Sequence, residues 1–138
     1  MSRKRPEVIV VLEGRVPPGC RRQLEDFLRE ARGYYEQPGG IRVRLLWDLD
    51  DPDRFREVIE YAERVDYERD DDRVAGDPVM RGYLERWHAL LAEPPRVRRW
   101  GEADLRDPAA PGVTALADLG RRSPSRQPAA SITWRAFR

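Results

Sequence analysis

The chain has 138 residues, 37% of them charged, with 26 Lys+Arg against 25 Asp+Glu for a net charge of +1. That balance leaves no surplus of basic charge for nucleic acid or an anionic membrane surface, so neither is expected as a partner. A single cysteine, Cys20, excludes an intramolecular disulfide and a Cys-based metal cage, while the length lets a domain bury roughly 68% of its unfolded surface.

MSRKRPE passes directly into VIVVLEG, which is too short for a signal h-region with a cleavage site and has strand character. No stretch approaches the apolar length of a membrane span. A soluble, cytoplasmic protein is the expectation.

Glu7 to Val16 reads as a first strand, because Val8, Ile9, Val10, Val11 and Leu12 run without alternation, as in a strand covered on both faces. Pro17, Pro18 and Gly19 turn the chain, and Leu24, Phe27, Leu28, Ala31 and Tyr35 mark one face of a helix from about Cys20 to Tyr35. Ile41 to Asp48 is a second strand with Ile41, Val43, Leu45 and Trp47 toward helices and Arg42, Arg44 and Leu46 on the other side. The loop LDDPDR has turn chemistry and lacks the ligand order of a calcium loop.

A central strand follows from Phe55, with Phe55, Glu57, Ile59 and Tyr61 on one face and Arg56, Val58, Glu60 and Ala62 on the other. AERVDYERDDDRV has helical composition with a weak stripe of Ala62, Val65 and Tyr67, so a short exposed helix is expected, with Asp70 to Asp72 as a solvated face. The next helix has Asp77 as N-cap, Pro78 at its first position, and Met80, Tyr83, Leu84, Trp87 and Leu91 at three- and four-residue steps. RVRRW, up to Trp100, makes a last, edge-type strand. From Glu102 the composition turns to Pro, Ala and Arg, which divides the chain into a domain at 1–101 and an extension at 102–138. That extension is a linker or tail, in which the islands VTALADL and SITWRAF are candidates for docking.

Strand, helix, strand, strand, helix, strand is the ferredoxin-like split βαβ order of an α+β domain with a four-stranded antiparallel sheet, here carrying an extra helix after the third strand. Over Val8 to Trp100 the chain resembles the antibiotic biosynthesis monooxygenase family of dimeric α/β barrels. The resemblance rests on VIVVLEGRVPPG, the DDPDRF turn, FREVIEYAE and DPVMRGYLERWHALL with its PPRVRRW ending. It implies a homodimer in which two sheets meet face to face. On such an inner face Arg42 and Arg44 must pair with carboxylates such as Glu13, Glu57 or Glu60, or line a wet or ligand-filled cavity, because an unpaired buried charge costs several kcal/mol.

The resemblance also implies a cofactor-independent oxygenase for a small aromatic, polyketide or quinol substrate, with no cofactor and no metal. That chemistry needs aromatic walls and a group that handles one proton. His88, the only histidine, and Tyr61 are the candidate proton handlers; Trp47, Tyr35, Tyr67, Trp87 and Arg44 are the candidate substrate contacts. Gly14, Asp70 and Leu84 stand where haem-degrading relatives carry Asn, Trp and His, so haem is not expected. The other readings are a non-catalytic small-molecule-binding or dimerisation module, and a polyketide cyclase using the same pocket. A cavity of roughly 300 to 1,000 Å³ between helices and sheet would mark a ligand site, and a packed space would favour the module.

Overall fold

The computed structural model describes residues 5–106 of the 138-residue chain. Both docking islands expected in the extension lie outside the described residues. The elements are β1 (Val8–Arg15), α1 (Arg21–Tyr35), β2 (Ile41–Trp47), β3 (Arg54–Tyr61), α2 (Arg64–Gly76), α3 (Pro78–Ala89) and β4 (Arg96–Trp100). The strands form one antiparallel sheet in the order β2-β3-β1-β4, which makes the domain α+β and ferredoxin-like.

Strand alternation divides the side chains between two faces. Val8, Val10 and Leu12 of β1, Phe55, Ile59 and Tyr61 of β3, and Ile41 and Val43 of β2 are buried in the core with the helices. The pairing places Leu45 opposite Glu57, Glu57 opposite Leu12, and Leu12 opposite Val97, so Glu57 stands in an otherwise apolar row across the helix-facing side. Gly14 lies beneath the Phe55 ring, where a Cβ would come within 2.8 Å of a ring carbon. The missing side chain lets Phe55 sit edge-on to both Trp47 and Trp87, at centroid distances of 6.1 and 6.4 Å.

The helices on this face are held by different means. α1 buries Leu24, Phe27, Leu28, Ala31 and Tyr35, the stripe read from its sequence. Its end is tied to β2 through Glu36, whose Oε2 accepts the Val43 backbone N–H at 2.7 Å. α3 begins as its sequence signals, with the Asp77 carboxylate accepting from the Val79 N–H at 3.1 Å and Pro78 in the first turn. α2 corrects the sequence reading. Asp72 is exposed as expected of the acidic run, but Asp70 at its head is buried, together with Asp66, Tyr67 and Val74, while Val65 faces solvent. The inward face carries two carboxylates because each has partners: Asp66 accepts the Glu63 N–H at 3.0 Å and binds Arg69, and Asp70 binds Tyr61 and Arg73.

The opposite face of the sheet mixes apolar and ionic side chains. Arg44 pairs with Glu60 at 2.8 Å, and Glu13 accepts from Arg54 at 2.9 Å and Arg56 at 3.2 Å. The arginine pairing expected from the sequence is therefore met by Glu60 for Arg44, whereas Glu57 lies on the other side and pairs with no arginine among the described residues. Between these pairs Val58 is buried, and Leu46 and Trp100 remain 44% and 52% exposed.

Candidate functional site: a carboxyl in the core

Between the sheet and the helices lies a cavity lined by Leu12, Ile41, Val43 and Ile59 from the strands, by Met80, Leu84 and Trp87 from α3, by Asp70 and Val74 from α2, and by Tyr35 and Glu57. Its volume is about 20 Å³, room for about one water molecule. The aromatic ring of a substrate does not fit without movement of a wall. α2 is the wall held by the least apolar burial, with Tyr67 and Val74 against the five buried residues of α1.

Glu57 is the group that sets this cavity apart. It is 2% exposed, its Oε1 has no hydrogen-bond partner among the described residues, and burial pushes its carboxyl up to about 8. The Trp87 indole N–H lies near enough to favour the charged form a little, yet without the alignment of a hydrogen bond. The Tyr35 hydroxyl is likewise buried and unpartnered, and burial together with the nearby Glu57 raises it well above the ordinary tyrosine range. One apolar cavity thus holds three polar groups with unused hydrogen-bonding capacity. Each would cost about 1–3 kcal/mol in a dry core, and such groups gather where a ligand or a reacting proton is to be met.

Asp70, the fourth polar lining residue, is satisfied. It accepts from the Tyr61 hydroxyl at 2.5 Å and from Arg73 at 2.9 Å. Arg73 also donates to the carbonyl oxygens of Tyr34 at 3.0 Å and Tyr35 at 2.8 Å, clamping α2 to the end of α1. This network positions two walls of the cavity and gives each carboxylate oxygen of Asp70 a donor.

Of the residues singled out from sequence, Tyr35 and Trp87 come together on the cavity. Tyr61 lies beneath it, fully buried and bonded to Asp70, and burial with the Asp70 charge drives its hydroxyl far above its usual range. Tyr67 packs edge-on against Tyr61 with centroids 5.3 Å apart and is not a lining residue. Trp47 sits at the Phe55 end of the sheet, where its indole N–H donates to Glu25 at 3.0 Å and Arg21 covers its ring at 4.5 Å. His88 is half-buried near the end of α3, away from the lining set. Arg44 is on the opposite face of the sheet. The residue that sequence reasoning passed over as a site is Glu57; its signal was a carboxylate at a core-facing position of the strand that carries Phe55, Ile59 and Tyr61.

Among the described residues no cluster of three or more His, Cys, Asp and Glu side chains is arranged to hold a metal ion, and no helix is long and apolar enough to cross a membrane.

No protein-family model matches the chain, and no curated protein matches its sequence. Its fold does match solved structures. A Bordetella bronchiseptica protein named for antibiotic biosynthesis monooxygenases superposes with a TM-score of 0.59 at 19% identity, covering 70% of this chain and 97% of that one. SnoaB, a cofactor-independent oxygenase from Streptomyces nogalater, gives 0.58 at 14% identity over 72% of this chain and 97% of its own. Rv0793 from Mycobacterium tuberculosis gives 0.56 at 21% identity over 72% and 98%. The chain shares with these proteins the α+β fold of the antibiotic-biosynthesis-monooxygenase type.

Proposed function

We propose that the protein is a cofactor-independent monooxygenase of the cytoplasm that acts on a small aromatic, polyketide or quinol substrate in the cavity between sheet and helices. The observation that carries this reading is Glu57, an ionisable carboxyl in an apolar cavity, shifted to about 8, where a general base works best near neutral pH. The likeness of the fold to SnoaB supports the choice of oxygen chemistry. Glu57, rather than His88 or Tyr61, is the proton handler, and Tyr35 and Trp87 are the walls.

In this mechanism the Glu57 carboxylate takes the proton of a ring or enol hydroxyl. The resulting anion passes one electron to dioxygen, the radical pair combines to a peroxide anion at a ring carbon that bears a hydrogen, protonated Glu57 returns its proton to the outer peroxide oxygen, and loss of water, made from the O–H of the hydroperoxide and that carbon's hydrogen, leaves a carbonyl and the Glu57 carboxyl free for the next turnover. Exclusion of bulk water by the apolar walls keeps the radical pair together. The substrate's ring is admitted by displacement of α2. On the far side of the sheet, Val58, Leu46 and Trp100 among their ion pairs support assembly into a homodimer through that face, which light scattering measures directly.

Oxygen uptake with a panel of hydroquinones and anthrones tests the activity. With an active substrate, Glu57→Gln should lower turnover by about 10²- to 10⁴-fold, and His88→Ala should leave it unchanged. Wild-type turnover should rise with pH up to about 8, because the carboxylate is the working form. Product formation without oxygen uptake would instead indicate a cyclase. The small volume of the cavity favours a second reading, a binding or dimerisation module, which predicts neither uptake nor product.

A further inference from the structure

Glu57, Tyr35 and Trp87 line one cavity and are each no more than 6% exposed. Glu57 Oε1, the Tyr35 hydroxyl and Trp87 Nε1 all lack a hydrogen-bond partner among the described residues. The indole N–H is near the Glu57 carboxyl but misaligned for a direct bond, so an atom placed between them can serve both where direct contact serves neither. The three groups also differ in what they offer. The indole only donates, the hydroxyl donates and accepts, and the carboxyl accepts when charged and also donates when neutral.

Whatever joins them has to match all three. An anion would meet the carboxyls of Glu57 and Asp70, with no arginine or lysine lining the cavity to hold it. A metal ion would find one unpartnered carboxylate oxygen and one hydroxyl, too few ligands, beside an indole hydrogen of its own sign. A neutral molecule that both donates and accepts fits. The volume, about 20 Å³, exceeds the roughly 10–15 Å³ that one water needs and leaves no room for anything much larger. Buried waters make roughly three hydrogen bonds, the number of partners present.

We propose that a single water molecule is bound in this cavity as part of the fold, bridging Glu57, Tyr35 and Trp87. It accepts from the indole throughout. It donates to Glu57 when the carboxyl is charged and accepts from it when the carboxyl is neutral, with the Tyr35 hydroxyl turning to donate in the first case and accept in the second. Glu57 thus has a partner in both protonation states without a side chain changing place. One enclosed water does not replace bulk hydration, so the carboxyl remains in an apolar surrounding. The inference rests on the Glu57 cavity on which the proposed function stands, but not on its oxygen chemistry.

A high-resolution crystal structure of the full chain without added ligand should show one water within roughly 2.7–3.2 Å of Glu57 Oε1, the Tyr35 hydroxyl and Trp87 Nε1. No density there, or a water bonded to fewer than all three, would overturn the site. In solution, oxygen-17 magnetic relaxation dispersion counts long-lived waters. Glu57→Leu should hold one fewer per subunit than the wild type, while Glu57→Gln, whose amide both donates and accepts, should hold the same number. Thermal melts establish that both variants are folded. Equal counts in the wild type and Glu57→Leu would overturn the assignment, and so would loss of the water in Glu57→Gln. The water present with no oxygen uptake from any substrate would retain the site and reject the oxygenase; uptake by a protein whose cavity is dry would do the reverse.

Discussion

Glu57 and Glu60 stand three residues apart on the same strand and fall on opposite faces of the sheet. Glu60 meets Arg44 at 2.8 Å across the outer face and is an ordinary structural anion. Glu57 meets Leu12 and Leu45 in its row, an unpaired tyrosine hydroxyl and an unpaired indole, and its carboxyl is driven up to about 8. The contrast extends to Asp70, which is also buried but has Tyr61 and Arg73 bound to it. Burial alone therefore does not distinguish a site from scaffold in this fold. The distinguishing quantity is whether the fold supplies a partner, because a paired buried charge holds structure together and an unpaired one holds a proton in play.

The largest stability effect expected from this contrast belongs to Glu57. Its folded carboxyl titrates at about 8 against 4.5 for the free group, so folding carries no penalty from it below pH 4.5. As pH rises toward 8 the unfolded chain ionises while the folded chain stays neutral, and the folded state loses stability until the two pKa values are passed. At about 1.4 kcal/mol per unit the full loss is roughly 5 kcal/mol. Glu57→Gln should therefore match the wild type near pH 4 and exceed it increasingly up to pH 8, which urea unfolding at several pH values measures. A constant difference across that range would place the carboxyl in contact with bulk water or with a cation.

Arg73→Met should come next. It leaves Asp70 buried without its cation and frees the clamp on the Tyr34 and Tyr35 carbonyls, at a cost of about 3 kcal/mol. Combining it with Asp70→Asn should recover much of that loss, because both charges are then gone, and a double-mutant cycle reads the coupling. The smallest effect is assigned to Glu60→Gln, since Arg44 is 41% exposed at the side chain and can turn to water; unfolding free energy should change by under about 1 kcal/mol. If Glu60→Gln proved as costly as Arg73→Met, the outer face would be buried against another surface, as a homodimer requires.

Much of this architecture is legible in the sequence. α1 and α3 obey the helical period, and α3 carries its own start signal in Asp77 and Pro78, so Leu24 to Tyr35 and Met80 to Trp87 declare the faces they bury. α2 departs from its sequence pattern because its inward face is built from Asp66 and Asp70, whose acceptability in the core depends on Arg69, Arg73 and a tyrosine on a strand. Local pattern carries no information about such partners. The same limit explains the site residues: Tyr35 and Trp87 meet at the cavity, while Trp47, Tyr67, His88 and Arg44 are equally good candidates by type and are carried elsewhere by the register and the helix packing.

By itself the amino-acid order determined the element sequence, the side of β3 on which Glu57 lies and the apolar stripes, because backbone period and burial preference are properties of consecutive residues. Only the tertiary structure decided that Glu57 would face Tyr35 and Trp87 with no salt-bridge partner among the described residues, while Glu60 received Arg44 and Glu13 received Arg54 and Arg56. The physical reason is that a carboxyl's protonation is set by the charges and dipoles within a few ångströms of it, and those come from strands and helices far apart in the chain.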